Sequence, residues 1–79
     1  MNPLLTELKE IIRKYAFDKT LVDKADGNSK IIADLKINSA RIVDIVLDLE
    51  EKYDIEIDDA SLEKIITLND AIRIIESKK

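Results

Sequence analysis

The groups in this 79-residue chain that could do chemistry are hydroxyls, carboxylates and amines, because it contains neither cysteine nor histidine. That removes the thiol nucleophile, the commonest general base and the commonest metal ligand together. A nucleophilic triad is excluded on the same ground. Adjacent carboxylates are plentiful, as in Glu50-Glu51 and Asp58-Asp59. Acid–base work by such a pair needs surroundings that push the two pKa values apart, and a small open helical domain leaves both solvated. In Asp23-Lys24-Ala25-Asp26-Gly27-Asn28 the acids do not alternate ahead of the glycine and no glutamate closes the loop, so calcium binding is not expected. What remains is a segment that leads into the central helical pattern. Ser39 follows Asn38 in Asp34-Leu35-Lys36-Ile37-Asn38-Ser39-Ala40, directly before a helical pattern. A serine at a helix entrance is exposed, near free N–H groups and the positive end of the helix dipole. Taken alone, the pair more often just begins a helix.

The element behind Ser39 is an amphipathic helix predicted from Ser39 to about Asp54, with Asn38 as its cap. Ile42, Ile45, Val46, Leu49 and Tyr53 form its buried stripe, and Asp44, Asp48 and Glu51 lie opposite. Val43 and Leu47 do not fit that stripe; they form an i, i+4 pair on the flank that Ser39 shares. Ahead of it, Pro3 to Tyr15 reads as a first helix, with Asn2 as N-cap and Leu4, Leu8, Ile11, Ile12 and Tyr15 on one face. Asp18 to Ile37 reads as a long connection with room for a helical turn, pinned by Leu21, Val22, Ile31, Ile32 and Leu35.

After the Ser39 helix, Ile55 to Asp59 is expected to be an extended connection with Ile55 and Ile57 facing inward. A short helix is expected over Ala60 to Ile65. Thr67 then caps a last helix in a capping-box arrangement with Asp70, burying Leu68, Ala71, Ile72 and Ile75, with Lys78-Lys79 at its negative end. With 79 residues, one glycine and one proline, the expectation is one all-α domain over 1–79. No signal peptide or bilayer-spanning run is visible, which points to the cytosol. Between Asp34 and Glu63 there are 10 acidic and 3 basic residues. That balance disfavours nucleic acid and favours partners with basic patches.

The segment around Ser39 resembles the acyl carrier protein family, whose signature is Asp-Leu-Gly-x-Asp-Ser-Leu leading into an acidic helix. The similarity runs on through Leu49-Glu50-Glu51-Lys52-Tyr53-Asp54-Ile55-Glu56-Ile57, then Glu63-Lys64-Ile65 and Thr67-Leu68-Asn69-Asp70-Ala71-Ile72. It covers well over half the chain. The resemblance implies a small four-helix bundle with a long loop between the first and second helices and a short third helix. It also implies that Ser39, beside Asn38, carries 4′-phosphopantetheine through a phosphodiester, installed from coenzyme A by a separate transferase. The arm's thiol would supply the sulfur the chain lacks, so the protein would be a carrier and not an enzyme.

Further roles follow from the resemblance. Val43, Leu47, Ile57, Leu62 and Ile65 would line the path of the arm or acyl chain, although Val43 and Leu47 could equally complete a wide core face. Asp44, Asp48, Glu50 and Glu51 would meet basic patches on the transferase and on acyl-transferring enzymes. A monomer is expected. Lys36 stands for the usual glycine, Asn38 for aspartate, Ala40 for leucine and Asp58 for a common proline, while Arg41 adds a positive charge. These departures make the potential around Ser39 less negative and point to a specialised carrier. The alternatives are an aminoacyl or polyketide carrier, or an unmodified helical interaction module.

Overall fold

The computed structural model describes residues 3–78. The expected N-cap Asn2 and the terminal Lys79 lie outside the described residues. Five helices account for its regular structure: α1 Pro3–Arg13, α2 Lys19–Asp23, α3 Arg41–Tyr53, α4 Asp59–Glu63 and α5 Leu68–Lys78. There are no strands among the described residues, only an isolated bridge between Lys30 and Thr67. The architecture is the all-helical bundle expected, and no helix among the described residues is long and apolar enough to cross a membrane.

Helix α1 buries Leu4, Leu8, Ile11 and Ile12, the stripe read from the sequence. It stops two residues before Tyr15 because the chain tightens: Lys14 N–H donates to Ile11 O (3.2 Å) and Tyr15 N–H to Ile12 O (2.9 Å). Such three-residue bonds are the usual way a helix end satisfies its last carbonyls. The long connection holds a real helix, α2, whose N-cap Asp18 accepts from Thr20 N–H (3.0 Å) and whose Val22 is fully buried.

The remainder of that connection is anchored in two ways. Ile31, Leu35 and Ile37 are buried in the core. Its backbone also bonds to the approach to α5 and its first turn. Ile31 N–H donates to Ile66 O (2.9 Å), Leu68 N–H to Ser29 O (3.2 Å) and Asn69 N–H to Gly27 O (2.8 Å). At Gly27 the two segments come close enough that an added Cβ would displace the amide of the Asn69 side chain. Ile32 was expected to pin the loop and does not; it is exposed. Adjacent side chains in a turn diverge, so burying Ile31 turns Ile32 outward.

Helix α3 buries Ile45, Val46 and Leu49, with Ile42 and Tyr53 half-buried against the core. It ends where Asp54 enters the left-handed region (φ 54°) and donates its N–H to Glu50 O. Ile55 and Ile57 turn inward as expected. Helix α4 begins one residue earlier than predicted because Asp58 caps it, accepting from Ser61 N–H at 2.8 Å. Two tyrosine bonds tie α1 and its exit to α3: Tyr15 to Asp48 Oδ2 (2.6 Å) and Tyr53 to Glu7 Oε2 (3.0 Å). The hydroxyl of Tyr53 is pushed up to about 12, by burial first and then by its bond to Glu7.

Helix α5 buries the four predicted residues, and its capping box forms. Thr67 Oγ1 accepts from Asp70 N–H (3.2 Å), while Asp70 Oδ2 accepts from both Thr67 N–H (2.9 Å) and Ile66 N–H (3.0 Å). These backbone bonds, led by that from Thr67, hold the Asp70 carboxyl below its ordinary value of 3.8. Because the folded-state value is depressed, the stabilisation is complete above the unfolded-state value. It is lost as pH falls through the lower folded one. Asp70→Ala is therefore expected to cost about 1–2 kcal/mol at pH 7. In thermal unfolding, its deficit against the native chain should shrink steadily below about pH 4.

Candidate functional site

The site is the approach to α3. Ile37 is buried, and its N–H donates to Ile31 O at 3.3 Å, so the chain is anchored two residues before Ser39. The N-cap position of α3 falls on Ala40, which has no side-chain cap bond, and Asn38, the expected cap, closes the tight turn before it. Its Oδ1 accepts from Ala40 N–H (2.9 Å) and its carbonyl from Arg41 N–H (2.8 Å), followed by Ile42 N–H to Ser39 O (3.2 Å). Bonds of this span make a tight first turn. The α-helix proper consequently starts at Arg41, where the sequence pattern had suggested Ser39.

This shift matters for the serine. Since Asn38 closes the turn, the Ser39 hydroxyl is not consumed in doing so: Ser39 is exposed, and its side chain makes no hydrogen bond among the described residues. It is a hydroxyl open to attack or modification at the positive end of a 13-residue helix. A phosphodiester arm at this position would extend into solvent without displacing a buried group. The residues present fit such a group.

The apolar residues assigned to the arm's path separate into two sets. Val43 (52% exposed) and Leu47 (55%) stand out from α3, so they do not complete a wide core face. Ile57 and Ile65 pack against the core, and Leu62 is half-buried. Ile66 and Ile32 add exposed apolar surface that the sequence reading did not assign. Their backbone pairing through Ile31 and Ile66 could not be read from periodicity, because it joins segments far apart in the chain.

The acids of α3 are less available than a helical wheel suggests. Asp44 pairs with Arg41 at 3.1 Å. Asp48 accepts from Tyr15 and pairs with Lys14 at 3.2 Å; the tyrosine bond first, then the lysine, holds its carboxyl below the ordinary range. Glu50 Oε2 accepts from Ile57 N–H at 2.7 Å, which fixes the connection to α4. Glu51 is exposed and makes no ion pair or hydrogen bond among the described residues.

Lys36 has φ 57°, in the left-handed region where a side chain costs about 1–2 kcal/mol and glycine nothing comparable. Glycine's own entropy offsets part of this gain. Lys36→Gly is thus expected to stabilise the chain by roughly 1 kcal/mol, raising Tm by about 4–8 °C in a scan.

No protein-family model matches the chain. It is, however, similar along nearly its whole length to proteins named acyl carrier protein. One from a Sulfurovum species is 38% identical over 74 residues, covering 94% of this chain and 96% of the relative. Another from Thermotoga maritima is 37% identical over 76 residues, covering 95% and 90%. A third from Wolinella succinogenes is 47% identical over 57 residues, covering 72% and 75%.

The chain belongs to the acyl carrier protein family.

Acyl carrier proteins are carriers and not enzymes, in keeping with a chain that has no thiol or imidazole. The family implies a phosphopantetheine prosthetic group and dealings with acyl-handling enzymes. For an acyl carrier protein, the geometry at α3 has a plain reading: a rigid anchor at Ile37, a turn closed by Asn38 and an open hydroxyl between Asn38 and the helix.

Proposed function

We propose that this chain presents acyl groups on a 4′-phosphopantetheine arm attached to Ser39, in fatty-acid or other acyl-chain biosynthesis. One observation carries this reading: the Ser39 hydroxyl is exposed and uncommitted at the entrance of α3, because Asn38 closes the turn in its place. During loading, Ser39 Oγ forms a bond to the pantetheine-side phosphorus of coenzyme A. The pyrophosphate P–O bond breaks, adenosine 3′,5′-bisphosphate leaves with the electron pair, and the hydroxyl proton passes to a base on the transferase. When bound, the arm supplies the thiol on which an acyl group is held as a thioester.

The chain's own residues then hold the attachment point and meet partners. Ile37 and Asn38 keep Ser39 at a defined place in the turn. Val43 and Leu47 offer apolar surface on the flank nearest Ser39, and Ile57, Leu62 and Ile65 supply the half-buried apolar groups beyond it. Asp44, Asp48, Glu50 and Glu51 give α3 its negative face, with Glu51 the most available for docking. The cations Lys36 and Arg41 near the hydroxyl favour a specialised pathway over the general fatty-acid one.

The test is intact mass after incubation with coenzyme A and a broad-specificity transferase, followed by peptide mapping. A gain of one phosphopantetheine on the peptide holding Ser39 is expected. No gain with several transferases would replace this reading with that of an unmodified interaction module.

A further inference from the structure

The residues immediately around Ser39 carry the opposite charge to the rest of α3. Lys36 lies three residues before it and Arg41 two after; both are exposed. The Cα of Lys36 is therefore within about 11 Å of that of Ser39, near the Debye length at 0.1 M salt. Lys36 makes no ion pair or hydrogen bond among the described residues, so its charge is fully presented. Arg41 is matched by Asp44. Asp34, the nearest acid upstream, is bent back to accept from Lys30 N–H at 2.8 Å. Asp48 and Glu50 are engaged by Tyr15 and by the Ile57 amide. Lys36 is thus the cation beside Ser39 that no ion pair matches among the described residues, whereas Asp34 and Glu50 keep their negative charge through bonds to neutral amides.

A second feature picks out Lys36. It occupies a left-handed backbone position outside any helix end, which a side chain fills at a local cost. Strain of this kind tends to persist at functional positions.

We infer that Lys36, with Arg41, is a specificity-determining element that selects partners bearing an acidic group where they approach Ser39, and that it disfavours partners whose docking face is uniformly basic. This rests on the attachment of the arm at Ser39 proposed above. Opposite charge speeds encounter and fixes register, and like charge placed in an interface rejects the wrong partner. The partner fitted here has a mixed face, acidic opposite Lys36 and basic opposite Glu50 and Glu51.

The experiment measures loading of the full-length apo chain from coenzyme A, by intact mass, with a transferase whose docking face is basic. The variants are Lys36→Glu, Lys36→Gln, Lys36→Gly and Lys36→Glu/Arg41→Glu. The double variant is expected to raise kcat/KM about tenfold or more at 50 mM salt, mainly through KM. That gain should fall to below about twofold at 500 mM salt, where the Debye length shortens to a few Å. Lys36→Gln and Lys36→Gly should give equal, smaller gains. A gain confined to glycine would mean that backbone strain, not charge, is responsible, and would overturn the inference. Equal kcat/KM for all the chains would overturn it as well, while leaving arm attachment intact. Failure of every chain to gain mass would instead overturn the attachment at Ser39. A transferase carrying a basic-to-acidic substitution at its docking face should reverse the order and prefer the native chain.

Discussion

Ser39→Ala is expected to abolish the mass gain entirely while leaving thermal unfolding within about 0.5 kcal/mol of the native chain, as for an exposed residue with no structural partner. The two halves of that outcome are separable because turn closure and attachment fall on different residues. Asn38 holds Ala40 N–H and Arg41 N–H, and these bonds do not involve the serine side chain. Asn38→Ala is the converse: it removes the side-chain bond that closes the turn, costs about 1 kcal/mol, and leaves a hydroxyl still open to loading. Circular dichroism for the fold and intact mass for the arm read the two effects independently. A Ser39→Ala chain that still gained mass would shift the attachment elsewhere.

Leu49→Ala is expected to have the largest effect on stability, about 2–5 kcal/mol. Leu49 is 1% exposed at the middle of α3 and belongs to the cluster holding Leu8, Ile12, Leu68 and Ile75. Small domains have only about 0.05–0.15 kcal/mol of stability per residue, so this substitution removes a large share of the total. Urea unfolding should show a midpoint shifted far down with little change in slope. Leu47, two residues away, provides the contrast. It is 55% exposed, and Leu47→Ala should cost less than about 0.5 kcal/mol. If Leu47→Ala matched Leu49→Ala, the division between buried stripe and exposed flank would be wrong. The same pair separates fold from function, because only Leu47 belongs to the apolar flank proposed for the arm and for partners.

The positive φ at Lys36 and the occupied acids of α3 bear on how such a carrier would be recognised. A view of α3 as a simple acidic rod counts Asp44, Asp48, Glu50 and Glu51 alike. Their partners are Arg41, Tyr15 with Lys14, the Ile57 amide and, for Glu51, none among the described residues. Partners would therefore sense a field weighted toward the C-terminal part of the helix, with the cations of Lys36 and Arg41 at its entrance.

The stripes of α1, α3 and α5 were legible in the sequence because helical burial repeats every 3.6 residues, and Leu8, Ile12, Leu49 and Ile75 all follow that period. So was the Thr67–Asp70 box, since a cap is a contact between residues close in the chain. The absence of thiol and imidazole, and a serine beside a capping asparagine, bounded the chemistry before any coordinates. What tertiary structure decided were contacts that carry no period. The loop carbonyls of Gly27 and Ser29 meet the amides of Asn69 and Leu68, Tyr15 crosses to Asp48, and Ile31 turns in while Ile32 turns out. It also decided that Val43 and Leu47 stand in solvent. Each depends on where distant segments come to rest, and one-dimensional spacing holds no information about that.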